Sequence, residues 1–84
     1  MTKQEFLKRC KIENLNIGDE YMIVLDGITD EPFVLGCVYD QGEWKIYKTG
    51  ERDGHYIIKA YTNENEAFDF FYELVLSKHN RRNN

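Results

Sequence analysis

The sequence predicts an α+β domain of two layers: a four-stranded antiparallel meander with an N-terminal helix and a longer C-terminal helix on one face, in the order α-β-β-β-β-α. Three observations lead there. An apolar arc recurs at helical spacing from Asn63 to Lys78, whereas between residues 20 and 61 four short runs rich in β-branched and aromatic residues are set apart by Gly- or Pro-bearing connections. Those connections are short, and a parallel neighbour ordinarily needs a crossover of a dozen residues or more.

Thr2-Lys3-Gln4-Glu5 has the form of a capping box, in which hydroxyl and carboxylate satisfy each other's free amide donors at a helix start. A first helix follows to about Lys11, with Phe6, Leu7 and Cys10 on one stripe. After the exit at 12 to 17 and the break at Gly18-Asp19, residues 20 to 25 read as a first strand. Both of its alternate sets are apolar, as in a strand placed centrally or covered on both faces. Residues 26 to 32 are a loop by composition.

Phe33 to Tyr39 forms the second strand, with Phe33, Leu35, Cys37 and Tyr39 pointing one way and Val34, Gly36 and Val38 the other. Gly36 in mid-strand leaves a gap for a large neighbouring side chain or marks a bulge. Residues 40 to 43 make a tight hairpin into a third strand, Trp44 to Lys48; residues 49 to 54 connect it to a fourth, His55 to Tyr61.

The long helix has Thr62 or Asn63 as its cap, and Glu64 and Glu66 suit the positive end of its dipole. Phe70, Leu74, Ala67, Phe71, Val75, Phe68, Tyr72 and Leu76 follow one another around one side of the wheel. Glu66, Asp69, Glu73 and Ser77 take the other. Such a helix is marginal alone and needs a cover, for which the sheet is the candidate. The domain is expected to span residues 1 to 79, with 80 to 84 a frayed polar tail.

Eighty-four residues make one small domain in which few buried positions are spare, and six Tyr, five Phe and one Trp supply large contact areas. The formal charge of −4 is concentrated between residues 18 and 49, which hold seven acids and two bases. An acidic middle disfavours nucleic acid and anionic membrane as partners and favours a basic one. No run approaches a membrane span. Cys10 and Cys37 stand far apart, without an apolar leader in residues 1 to 11, and read as reduced thiols of a cytoplasmic protein.

The residues offer no catalytic set. His55 and His79 have no ligand or nucleophile at a useful spacing, so no metal or cofactor is expected. The turn Gly50-Glu51-Arg52-Asp53-Gly54 lacks the Lys-Ser/Thr of a phosphate loop and leads into a strand. Two features point instead to contact with another macromolecule. The acids Asp26, Asp30, Glu31, Asp40, Glu43, Glu51 and Asp53 lie in or beside inter-strand connections. In a meander the first three gather at one end with Glu51 and Asp53, away from Asp40 and Glu43. Trp44, Tyr47 and Arg52 are residue types that anchor interfaces, and Trp44, Tyr47, Tyr39 and Tyr56 are candidates for an aromatic patch on the uncovered sheet face. Solvated loops and sheet packing account for the same residues without a partner.

Trp44-Lys45-Ile46-Tyr47, then Thr49-Gly50-Glu51-Arg52-Asp53-Gly54, then a short strand and the helix N-E-N-E-A-F-D-F-F-Y-E-L resemble the C-terminal half of small immunity proteins from bacterial polymorphic toxin systems. The likeness is greatest to the immunity protein 59 family, with its W-x-V-Y strand, T-D-E-R-G-like turn and E-A-F/L-D helix, and covers residues 33 to 76. Gly50 stands where that pattern has Asp, and Asp53 separates Arg52 from Gly54. The resemblance implies a cytoplasmic antitoxin that binds and blocks one cognate toxin domain and has no catalysis of its own. The alternative is a small-molecule or peptide-binding regulatory domain, with a pocket between sheet and long helix lined by Phe68 and Tyr72. A homodimer through an uncovered sheet face is compatible with either.

Overall fold

A computed structural model describes residues 1–13, 15, 21–52 and 54–82. It is a two-layer α+β domain with the elements α1 (Lys3–Ile12), β1 (Met22–Val24), β2 (Val34–Asp40), β3 (Glu43–Thr49), β4 (His55–Tyr61) and α2 (Glu64–Arg82). The sheet order is β1-β2-β3-β4, each strand beside its neighbour in sequence.

The capping box of α1 is formed: Thr2 Oγ1 accepts from the Glu5 amide at 3.2 Å, and Glu5 Oε1 accepts from the Thr2 amide at 3.0 Å. Phe6 is the buried residue of this helix, its ring 5.6 Å from that of Phe68 and 5.1 Å from that of Phe71. Leu7, expected on the same stripe, is 49% exposed. Position 7 is one residue, and so about 100°, from the Phe6 direction, which a short helix seated on a single contact line leaves in solvent.

Asn63 caps α2, its side-chain oxygen accepting from the amides of Asn65 at 2.8 Å and Glu66 at 3.2 Å. The middle of the expected apolar arc, Ala67, Phe68, Phe71, Tyr72 and Val75, is buried against Leu35, Cys37 and Ile46 of the sheet, and its flanks Phe70, Leu74 and Leu76 are half-buried. The helix continues to Arg82 rather than fraying after Lys78.

Gln41 (φ 52°) and Gly42 (φ 82°) turn β2 into β3, and two successive left-handed residues are what a two-residue hairpin requires. β3 and β4 are antiparallel as well. Ile46 faces Lys59 and Tyr47 faces Ile57, so Ile58 has no opposite residue in β3 and β4 carries a bulge there.

β1 departs from the expected pattern in three ways. It is three residues long, lies at an edge with Met22 57% exposed, and runs parallel to β2 with Met22 opposite Val34. Its apolar character on both sides has two sources: Ile23 packs with the helix-side core, whereas Val24 packs on the opposite face. The parallel pairing is open to so short a connection because three residues rise only about 10 Å, a distance that residues 25 to 33 can retrace with length to spare. Phe33, expected to begin β2, sits in the left-handed region at φ 58° and closes this return: its carbonyl accepts from the Met22 amide at 2.8 Å.

The sheet face away from the helices is therefore not an open aromatic surface. Val34, Val38 and Tyr47 form a second buried cluster there, with Val24 beside them. Trp44 points to the other layer, its ring 5.5 Å from that of Phe68. Of the four aromatics proposed for a patch, Tyr39 and Tyr56 are exposed.

Candidate functional site

The acids of the β1–β2 connection are presented by a loop tied to the sheet at three points. Tyr47, 0% exposed, donates its hydroxyl proton to the Gly27 carbonyl at 2.8 Å and accepts from the Thr29 amide at 3.3 Å. Thr49, also wholly buried, donates to the Glu31 carbonyl at 2.5 Å and accepts from the Val34 amide at 2.7 Å. Asp30 Oδ1 accepts from the His55 amide at 2.9 Å and lies 2.6 Å from His55 Nδ1. The side-chain bond to His55, and after it the backbone bond, hold the Asp30 carboxyl below the usual carboxylate range. Burial pushes the Tyr47 phenol up.

Of the expected grouping, the contacts establish the part that brings residues 30 to 33 beside the β3–β4 connection. At one end the Phe33 amide reaches the Gly50 carbonyl at 3.4 Å, and Asp30 meets His55, so the 26–32 loop lies beside the connection that bears Glu51 and Arg52. Asp26, Glu31, Glu51 and Arg52 are exposed. Asp53 lies outside the described residues. At the far end Asp40 pairs with Lys45 at 2.8 Å, Glu43 is exposed, and Trp44 is half-buried beneath Tyr39, ring centroids 5.2 Å apart.

Two of the residues chosen as contact residues thus have other surroundings. Tyr47 has no surface to present because it is a core residue and loop anchor. Trp44 is half-buried, with the rings of Phe68 and Tyr39 packed against it. Sequence reasoning missed His55 and Thr49 as the groups that hold the loop. The only signal was the spacing 47, 49 in β3, which places the phenol and the hydroxyl on one face.

Among the described residues no group of three His, Cys, Asp or Glu side chains is arranged to hold a metal ion. Phe68 and Tyr72 are buried in the core, and a groove of about 280 Å³ lies elsewhere, on α1, lined by Met1, Glu5, Lys8, Arg9 and Ile12. Tyr72 is engaged: its hydroxyl donates to Glu13 at 2.5 Å, and Arg9 Nε donates to the same carboxylate at 2.6 Å. Burial raises the Cys37 thiol to about 12 and, more weakly, that of Cys10, which suits packing rather than nucleophilic chemistry. Among the described residues no helix is long and apolar enough to cross a membrane. Comparison with protein-family models, with curated proteins and with solved structures gives no match to this chain.

Proposed function

We propose that the chain is a non-enzymatic binding protein of the immunity type, which holds a cognate toxin domain in the bacterial cytoplasm through the acid-bearing end of its sheet. One observation carries the reading. Asp26, Glu31 and Glu51 stand exposed on or beside a loop whose backbone is fixed by Tyr47, Thr49 and the Asp30–His55 pair. A loop already held in place loses little conformational freedom on binding, and clustered carboxylates speed encounter with a basic partner and penalise wrong ones. Arg52 beside them can pair with a carboxylate of the partner. The resemblance of residues 33 to 76 to the immunity protein 59 pattern, which rests on its motif residues, supplies the class of partner.

The test is co-expression with a toxin domain encoded beside this chain. Co-purification and survival of the host are expected. Reversing Asp26, Glu31 and Glu51 to Lys should weaken the complex by about tenfold or more without lowering the melting temperature. Failure to protect cells from that toxin would refute the proposal.

A further inference from the structure

The ammonium groups of Lys48 and Lys78 converge on the ring of Tyr21, and we propose that together they bind the phosphate of a small aromatic phosphate monoester. The proposal uses none of the contact residues of the inhibitor reading, so either can fail alone.

Tyr21 packs against the helix-side core two residues before Ile23, and Lys48 follows Ile46, a buried member of that core, at the same spacing in β3. Lys78 reaches the same ring from α2. Lys48 Nζ lies 5.2 Å and Lys78 Nζ 5.4 Å from the Tyr21 ring centroid. Both lysines are half-buried, which restricts where their charges can go before any ligand arrives. The titratable neighbours of Lys48 are Tyr21, Tyr56 and Lys78, and among the described residues neither lysine forms a salt bridge. Lys45, half-buried on the opposite face of β3, shows the ordinary arrangement: it pairs with Asp40 at 2.8 Å.

Two like charges held against one ring repel, and the ring's own attraction offsets only part of that. An anion placed between them turns the repulsion into attraction. A phosphate monoester carries close to two negative charges at neutral pH and has oxygens enough to accept from both ammonium groups, which a single carboxylate matches less well. The neighbouring rings describe the rest of the ligand. Phe33, 46% exposed, meets Tyr21 edge-on with ring centroids 6.3 Å apart, and Tyr56, 53% exposed, stands opposite Lys48 in the β3–β4 ladder. Uncovered ring surface beside a pair of cations suits a flat aromatic group joined to the phosphate. The acid-bearing 26–32 loop is tied to the opposite face of the sheet, through Tyr47 and Thr49.

Adenosine monophosphate and phenyl phosphate are each titrated into the wild-type protein to roughly 10 mM, with amide chemical shifts as the readout. At least one is expected to bind with a dissociation constant of roughly 0.1 to 1 mM and to shift the amides of Lys48, Tyr56 and Lys78. Which of the two binds more tightly tells a nucleotide from an aryl phosphate. Inorganic phosphate and adenosine should each bind at least about tenfold more weakly, because each offers one half of the contact. Lys48→Gln and Lys78→Gln should each weaken binding by about tenfold or more with the melting temperature retained, and Lys11→Gln on α1 should leave binding unchanged. No binding by either ester, shifts confined to other parts of the chain, adenosine or inorganic phosphate binding as tightly as the esters, or full binding by both lysine variants would each overturn the proposal.

Discussion

Tyr47 occupies the space that Gly36 leaves. The two residues are directly opposed in the β2–β3 ladder, and a Cβ placed on Gly36 would lie 2.0 Å from Tyr47 Cε1 and 2.4 Å from Cζ. The ring lies across the glycine and delivers its hydroxyl to Gly27 and Thr29, so a missing side chain in β2 decides where the 26–32 loop is held.

Gly36→Ala should therefore be among the most damaging single changes in the chain. The added methyl meets a wholly buried ring fixed at its far end by two hydrogen bonds, and a destabilisation of about 2 to 4 kcal/mol is expected, a fall in melting temperature of at least roughly 10 °C for a domain of this size. Gly27→Ala serves as the control, because nothing lies within 4 Å of a Cβ there. Equal melting temperatures for the two variants would contradict the packing described.

Thr49→Val keeps the shape of a buried side chain and removes its hydroxyl. The Glu31 carbonyl and the Val34 amide both lose a partner, and a loss of about 2 kcal/mol or more is expected in denaturant titration. Thr49→Ser should recover most of it. A valine variant as stable as the wild type would show that water replaces the hydroxyl without loss.

Asp30 gives the loop a pH dependence of definite sign. Its carboxyl is held below the usual range by the bonds from His55, so its contribution is present above the unfolded carboxylate value of about 4 and is lost as the pH falls through its lower folded value. Protection of the amides of residues 26–32 should decline over that acid window in the wild type. Asp30→Ala should show faster exchange at neutral pH and no such decline.

The two thiols should differ in reactivity. Cys37 is wholly buried and its thiol is pushed up to about 12 by that burial, so alkylation under native conditions should label Cys10 and leave Cys37 unmodified until the protein unfolds. Peptide mass analysis after a short exposure at pH 8 checks this. Early labelling of Cys37 would mean that the layer between sheet and α2 opens without global unfolding.

What the chain determined alone is what local rules govern. The apolar arc of residues 67 to 76, the caps at Thr2 and Asn63, the 40–43 hairpin and the limits of β4 are each set by side-chain period or turn chemistry within a few residues, and all are found in place. Of the two readings of the mid-strand glycine, a gap and a bulge, the gap filled by a large neighbour is the one found. The partner of each long-range contact was decided by the tertiary structure. Residues 20 to 25 carry no mark of a strand that runs parallel to its neighbour, because direction depends on how far nine loop residues can return, not on the strand itself. Nor does the alternation in β3 say that Tyr47 is covered while Ile57 beside it is exposed. That follows from the loop, which packs on Tyr47 and receives its hydroxyl at Gly27 and Thr29 but touches β4 at His55 and leaves Ile57 open.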